Sequence, residues 1–230
     1  MQREYQICTK CVMDTTDTKI VFDENGVCNH CHQYEEKRKS LLLTPKEALE
    51  EIVQQIKDAG RGRKYDCIVG ISGGVDSTYV AYLAKQWGLR VLLVHLDNGW
   101  DSELAVKNVE NIVNKTGFDL YTVVINWEEF KDLQRSFFKA DVVDLELLSD
   151  HAIYASVYKL TRKYGIKYLL SGENFKTEAI MPSSWNWRKS DSKNIKAIHK
   201  IHGEKKLKTF PFMGTVKKTI YQYAKIVKSI

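Results

Sequence analysis

The sequence is organised around a short apolar segment that stops abruptly at two glycines, within Tyr65 to Ser77. Cys67 to Ile71 predicts a buried strand, because it is a short apolar run bounded by turn residues. Ser72 to Gly74 end that strand, and the apolar spacing from Val75 to Trp87 predicts a helix. A strand, a glycine turn and a helix in this order aim backbone N–H groups at an anion. The segment therefore predicts a phosphate-binding loop.

The residue types in this loop suit a phosphate. Gly73 and Gly74 can take positive φ and let a phosphate approach the backbone closely, while Ser72 and Ser77 offer hydroxyl donors. Asp76 is predicted to bind magnesium or to assist the leaving group. The Gly-Lys-Ser/Thr ending of a Walker A loop and the third glycine of a dinucleotide fingerprint are both missing. The predicted nucleotide-binding residues here are Ile71, Ser72, Gly73, Gly74, Val75, Asp76 and Ser77, of which Asp76 and Ser77 are also predicted to be catalytic.

Length and composition narrow the class of protein. The 230 residues allow one α/β domain with an appendage, and 43% apolar residues support a real core. The sequence has no run of 18 apolar residues and no apolar leader after Met1, so we expect a cytoplasmic protein with no membrane partner. The net charge of +6 suits a polyanion but does not choose between a nucleotide, a sugar nucleotide and RNA.

Four of the five cysteines lie near the N-terminus, at Cys8, Cys11, Cys28 and Cys31. Two Cys-x2-Cys pairs separated by sixteen residues are typical of a structural zinc site. Lys19 to Phe22 predicts a strand, and Gly26 predicts a turn in the left-handed region, which together give a hairpin and a zinc ribbon. Substitution of one ligand by His30 or His32, and an iron–sulfur cluster in place of zinc, remain alternatives.

Two further turns follow predicted strands and should lie at the same edge of the sheet. Asp97 follows the strand Arg90 to Leu96, and is predicted to meet the nucleotide or its metal. Gly172 and Glu173 follow the strand Ile166 to Leu170; Gly172 is predicted to bind the nucleotide, and Glu173 to bind magnesium or orient the substrate. The alternatives are an Asx turn at Asp97 and a plain turn at Glu173.

Two later features have open interpretations. Asp150 predicts the N-cap of a long helix, and His151 in its first turn is a candidate for catalysis or substrate binding, or else for capping and packing. Trp185 and Trp187 beside Arg188 can stack on a sugar or a base, or can pack their loop down.

The element order predicts an α/β fold, an open, mostly parallel, doubly wound sheet with helices on both faces. Residues 1–40 are assigned to the zinc ribbon, 41–182 to the nucleotide-binding domain, and 183–230 to a substrate loop and a C-terminal helix. That helix, about Thr215 to Ile230, has no stop signal, so we expect the chain to be truncated.

Several of these segments together resemble the N-acetyl sugar amidotransferase family of the WbpG and PseA types. They are Ile7 to Asp17, Phe22 to Cys31, Ser72 to Ser77, Ser171 to Asn174 and Thr177 to Ile180. Ser72 to Ser77 is similar to the pyrophosphate loop of the PP-loop ATPases, whose fold is called adenine nucleotide alpha hydrolase-like. The resemblance extends from Ile7 to about Phe212.

The resemblance implies that ATP and Mg²⁺ activate the acetamido group of a nucleotide-linked N-acetyl sugar, which ammonia converts to an acetamidino group in bacterial surface polysaccharide biosynthesis. It implies structural Zn²⁺ at the cysteines and adds Glu178 to the catalytic candidates Asp76, Ser77, Glu173 and His151. The sequence shows no glutaminase nucleophile, since residue 2 is Gln and Cys67 is predicted to be core. We therefore expect separate glutaminase and cyclase-like subunits to supply ammonia, and a possible homo-oligomer.

Two other functions remain as alternatives. A tRNA-modifying PP-loop enzyme, for 2-thiolation or amination, also joins cysteine pairs to this loop, and a net charge of +6 suits RNA. Sulfur transfer usually needs a reactive cysteine in the catalytic half, and the sequence has none after Cys67, so nucleic acid is the less favoured partner. A non-catalytic binding module would predict an eroded loop, whereas this loop is intact.

Overall fold

The structure is a computed structural model that describes residues 3–42, 46–173, 182, 184–185, 188–214 and 228–229. The chain divides into two compact units. One is built from Met1–Glu51 and Asn174–Trp187, and the other from Ile52–Glu173 and Arg188–Ile230. The domain boundaries predicted from sequence, at residues 40 and 182, stay predictions.

The second unit is organised by a parallel sheet in the order β3-β2-β1-β4-β5. Its strands are β1 Cys67–Gly70, β2 Val91–Asp97, β3 Asp119–Val124, β4 Tyr168–Leu170 and β5 Lys228–Ser229. Gly70 pairs with Val94 of β2, and Ile68 pairs with Leu169 of β4. The chain therefore leaves β1 in one direction toward β2 and β3 and returns on its other side at β4, which makes the end of β1 a topological switch point.

Helices follow the strands as the sequence predicts. Their bounds are α1 Asn29–Leu42, α2 Lys46–Gly60, α3 Val75–Gln86, α4 Glu103–Thr116, α5 Trp127–Lys139, α6 Leu147–Tyr164 and α7 Ser192–His202. α4 begins where the Ser102 hydroxyl accepts the Ala105 N–H at 3.2 Å, and it ends at Gly117, whose φ is +70°. Among the helices described, none is both long and apolar enough to cross a membrane.

Helices cover both faces of the sheet, which confirms the doubly wound α/β fold. On one face, Val69 and Leu93 pack with residues of α2, α3 and α4. On the other, Ile68 and Leu92 pack with Val157 and Leu160 of α6. Successive strand residues point to opposite faces, so each buried strand serves both layers, and this explains its continuous apolar sequence.

The predicted helix α3 is present, with Tyr79 and Tyr82 exposed and its buried contacts coming from the small residues Ala81 and Ala84. Two local predictions were wrong. α6 begins earlier than Asp150, with Glu146 at its N-cap position. The C-terminal helix does not reach Ile230 as predicted, because residues 228–229 form β5 beside β4; residues 215–227 lie outside the described part.

Candidate functional site

The glycine loop joins the end of β1 to the start of α3, as predicted. Ile71 continues the sheet by donating its N–H to the Val94 carbonyl at 2.9 Å. Gly73 takes a φ of +78°, a conformation that favours glycine. Gly74 does not: its φ of −76° and ψ of 163° are extended, and it serves as the N-cap of α3. Since its own side chain offers no cap, the first-turn N–H groups of α3 suit an anion.

Inside the loop, N–H groups and hydroxyls converge through long hydrogen bonds. Ser72 N–H donates to the Ser77 Oγ, and Gly74 N–H donates to the Ser72 Oγ, both at 3.3 Å. The two hydroxyl oxygens are themselves 3.3 Å apart. Bonds at this distance are at the weak end for these groups. A phosphate oxygen can replace them at shorter range, and the charge-assisted bonds that result are about twice as strong as neutral ones.

Two side chains hold the loop from the α4 side. The Asn108 Nδ2 donates to the Gly73 carbonyl at 2.9 Å, and the His95 Nδ1 lies 2.9 Å from the Ile71 carbonyl. α4 also approaches the glycine directly, because a Cβ on Gly73 would lie 2.3 Å from the Ala105 carbonyl oxygen. Sequence reasoning missed both side chains; the one available signal was a histidine within the otherwise apolar strand β2.

The second glycine turn meets the first. A Cβ on Gly172 would lie 3.0 Å from the Ser77 nitrogen and 3.2 Å from the Asp76 carbonyl carbon, so the two turns are in direct backbone contact. Asp76 and Glu173 are exposed, and the Glu173 N–H donates to the Ser171 hydroxyl at 3.3 Å. The structure thus brings together Asp76, Ser77, Gly172 and Glu173 at the carboxyl edge of β1 and β4.

Asp97 ends β2 at the same edge and is half-buried. Its Oδ1 accepts the Gly99 N–H at 3.1 Å, which is the Asx turn considered as an alternative. Its side chain also lines a cavity of about 540 Å³ between α4 and the strands β2 and β3, together with His95 and Asp101. The turn fixes the backbone and leaves the nucleotide role of Asp97 a prediction.

His151 is buried and packed, which supports the packing alternative, while its catalytic role stays a prediction. Its side chain is fully buried, and its ring stacks on Phe210 with centroids 6.3 Å apart. Nδ1 lies 2.7 Å from the Lys189 carbonyl, and Nε2 accepts the Met213 N–H at 3.1 Å. Both ring nitrogens thus have backbone partners in this structure. The other such candidate, Glu178, lies outside the described residues.

The four N-terminal cysteines come together as the spacing predicted. Their sulfur atoms all lie within 4.8 Å of one another, with Cys8 and Cys31 at 3.9 Å and Cys11 and Cys28 at 3.6 Å. Tetrahedral Zn–S bonds of about 2.3 Å place sulfurs about 3.8 Å apart, so this donor set fits zinc. Antiparallel bridges pair Ile7 with Asp14 and Phe22 with Cys28, which gives a shorter hairpin than the predicted strand at 19–22.

Backbone donors prepare one of these sulfurs for a metal. Burial raises the pKa of the Cys8 thiol, but the N–H groups of Lys10 and Cys28 outweigh that effect and bring its pKa down to about 6. Those N–H groups lie 3.4 and 3.2 Å from the sulfur. Burial raises the pKa of Cys31, so a cation is needed to keep the whole set as thiolates.

The histidines near the cysteines form hydrogen bonds with carboxylates. His30 Nε2 lies 2.7 Å from the buried Asp17, and His32 Nε2 lies 2.8 Å from Asp23. The group of ligand atoms that come together consists of the four cysteine sulfurs and includes neither histidine, which favours the all-cysteine set. Trp185 packs against the cysteine cluster, which supports the packing interpretation for this residue; Trp187 lies outside the described residues.

Comparison with known proteins gives a family match over the middle of the chain. Residues 66–167, which include the glycine loop, match the sequence model described as queuosine biosynthesis protein QueC. The matched residues make up less than half of the chain.

Two sequence relatives extend this comparison. An uncharacterized protein of Methanocaldococcus jannaschii is 28% identical over 167 residues, which are 72% of this chain and 58% of that protein. The tRNA-specific 2-thiouridylase MnmA of Clostridioides difficile is 30% identical over 129 residues, 48% of this chain and 35% of that protein. The chain thus spans only part of the length of both relatives.

Among solved structures, the NH3-dependent NAD synthetase of Campylobacter jejuni has 16% sequence identity to this chain. The match covers 66% of this chain and 70% of that one, with a TM-score of 0.44.

Proposed function

We propose that this chain is the ATP-using subunit of an amidotransferase that converts the acetamido group of a nucleotide-linked N-acetyl sugar into an acetamidino group. The observation that carries ATP use is the loop Ser72 to Ser77, whose N–H groups and hydroxyls converge at the start of α3, opposite Gly172 and Glu173. The choice of sugar is supported by the sequence resemblance, which joins this loop to the cysteine pairs.

The chemistry begins with an amide, whose carbonyl carbon is a poor electrophile. In the first step the amide oxygen attacks the α-phosphorus of ATP, the bond between that phosphorus and the bridging oxygen breaks, and pyrophosphate leaves. In the second step ammonia adds to the carbon of the adenylated imidate. The C–O bond then breaks, AMP leaves with the electron pair, and the nitrogen loses a proton to solvent.

The loop would act on the leaving pyrophosphate. Its N–H groups and the hydroxyls of Ser72 and Ser77 are donors fixed in place before the reaction, and removal of one such donor costs about 2.7–4 kcal/mol of transition-state stabilisation in comparable sites. Asp76 and Glu173 offer carboxylate oxygens, the ligands that Mg²⁺ prefers, so they would hold the ion. Bound Mg²⁺ would neutralise charge on the phosphates.

Ammonia would come from a separate glutaminase. A built-in glutaminase needs an accessible cysteine of low pKa, but Cys67 is fully buried. Burial, assisted by the charge of Asp66, raises the pKa of Cys67 to about 12. The other cysteines of the chain form the cluster, where we propose structural Zn²⁺. We place the enzyme in the cytoplasm, where thiols stay reduced.

The test is pyrophosphate release from ATP with a panel of UDP-linked N-acetyl sugars and ammonium chloride. We expect release that depends on one sugar and a product in which NH replaces O by mass spectrometry. Asp76→Asn should abolish release, and Asp58→Asn, which changes an exposed carboxylate on α2, should not.

Release that ignores every sugar and responds to bulk tRNA would reject this function. It would favour the tRNA-modifying alternative, which is supported by the similarity to the 2-thiouridylase.

A further inference from the structure

Two carbonyl groups of the glycine loop are tied to side chains on the side of α4. The Gly73 carbonyl accepts from Asn108, and the Ile71 carbonyl accepts from His95, each at 2.9 Å. His95 is 7% exposed, so its ring is held among buried neighbours, and its Nε2 lies 3.4 Å from an Asp101 carboxylate oxygen. These are alternate carbonyls of one turn, so the same side of the loop is held at two points.

The orientation of a carbonyl fixes the orientation of the next N–H. In a trans peptide the C=O and the following N–H point in opposite directions. When Asn108 holds the Gly73 carbonyl, the Gly74 N–H is directed to the other side, where it meets the Ser72 hydroxyl. When His95 holds the Ile71 carbonyl, the Ser72 N–H is likewise directed toward Ser77.

Rotation of either peptide would reverse this arrangement. Its partially negative oxygen would then face the phosphate, and its N–H donor would be lost. Gly73 is especially free to rotate, since glycine accepts both signs of φ. The donors on the α4 side therefore determine which groups the loop presents to an anion.

We propose that Asn108 is a positioning residue for the pyrophosphate-binding loop, and that His95 has the same role two peptides earlier. The inference rests on the proposed function, because it assumes that the loop holds the β- and γ-phosphates of ATP. Neither side chain need touch the nucleotide; each acts through a backbone carbonyl of the loop.

The test compares two asparagines of α4. Asn108→Ala removes the donor, and Asn108→Asp replaces it with a carboxylate of similar shape that cannot donate. Asn111→Ala and Asn111→Asp are the matched controls, since Asn111 is exposed on the same helix. Calorimetry measures the dissociation constants of magnesium pyrophosphate, MgATP and AMP for each protein.

We expect Asn108→Ala to raise the dissociation constants of magnesium pyrophosphate and MgATP about two- to tenfold, the usual range for one hydrogen bond, and to leave that of AMP unchanged. Asn108→Asp should weaken binding of these two ligands further, and the Asn111 variants should bind them as tightly as the parent does. For the second donor, His95→Asn keeps an N–H near the position of Nδ1 and should bind pyrophosphate more tightly than His95→Leu.

The outcomes separate this inference from the function on which it rests. A parent chain that binds neither MgATP nor pyrophosphate rejects the proposed ATP use, and the inference with it. A parent that binds both, with Asn108 variants equal to their Asn111 controls, overturns the positioning role alone. If Asn108→Ala loses affinity for AMP and for pyrophosphate equally, the positioning role is also overturned, because that pattern indicates general damage to the domain.

Discussion

Replacement of Gly73 by alanine tests how closely the loop is built against α4. Gly73 has a φ of +78°, a left-handed conformation that costs a residue with a Cβ about 1–2 kcal/mol. The new Cβ would lie 2.3 Å from the Ala105 carbonyl oxygen and 2.8 Å from its Cα, so helix backbone must move. Overpacking of this kind adds about 1–3 kcal/mol. We therefore expect Gly73→Ala to lower the free energy of unfolding by about 2–5 kcal/mol.

The neighbouring glycine supplies the matched control. Gly74 has a φ of −76°, and the nearest atom to a Cβ there is the Ser72 Oγ at 3.3 Å, which belongs to a side chain. Gly74→Ala should therefore change the free energy of unfolding by less than about 1 kcal/mol. Urea unfolding followed by circular dichroism measures both variants. Equal losses in the two, or a loss below about 1 kcal/mol in Gly73→Ala, would refute the reasoning.

Two further predictions concern acid stability and metal removal. The N–H groups of Thr209 and Phe210 hold the pKa of Glu129 below its ordinary value of 4.5, although burial raises it. The contribution of Glu129 to stability is therefore present above pH 4.5 and is lost as the pH falls through the lower folded pKa. Glu129→Gln should lower the urea midpoint at pH 7 and flatten this decline of stability in acid. An unchanged decline would contradict the assignment. Removal of zinc by a chelator should shift the fluorescence of Trp185, which packs against the cysteines, and Trp185→Phe should remove that shift. Loss of zinc without the shift, or iron as the extracted metal, would contradict the proposed zinc site.

The features that the sequence predicted are those that depend on neighbouring residues. The strand, turn and helix around Gly73 follow from a short apolar run and two glycines, and the cysteine spacing needs only two tight turns. The parallel sheet follows from the alternation of strands with helices. In each case the signal lies within a few tens of residues.

What the sequence left open or missed depends on contacts between distant parts of the chain. The sequence left catalysis and packing as alternatives for His151, whose ring stacks on Phe210 and accepts the Met213 N–H from some sixty positions away. Asn108 is one polar residue among many on α4, and only the packing of that helix against the loop gives it a partner. No local pattern encodes these contacts, because they depend on the completed fold.

The small cysteine unit also has a consequence for the order in which the protein folds during synthesis. The Ser184 hydroxyl donates to Asp17 at 2.5 Å across 167 positions of sequence, and Trp185 covers the cysteine cluster. Ribosomes release the cysteines first and these two residues only after the strands β1 to β4. The cysteine cluster therefore completes its packing late, and a nascent chain stopped before residue 182 carries the glycine loop together with an unfinished cysteine cluster.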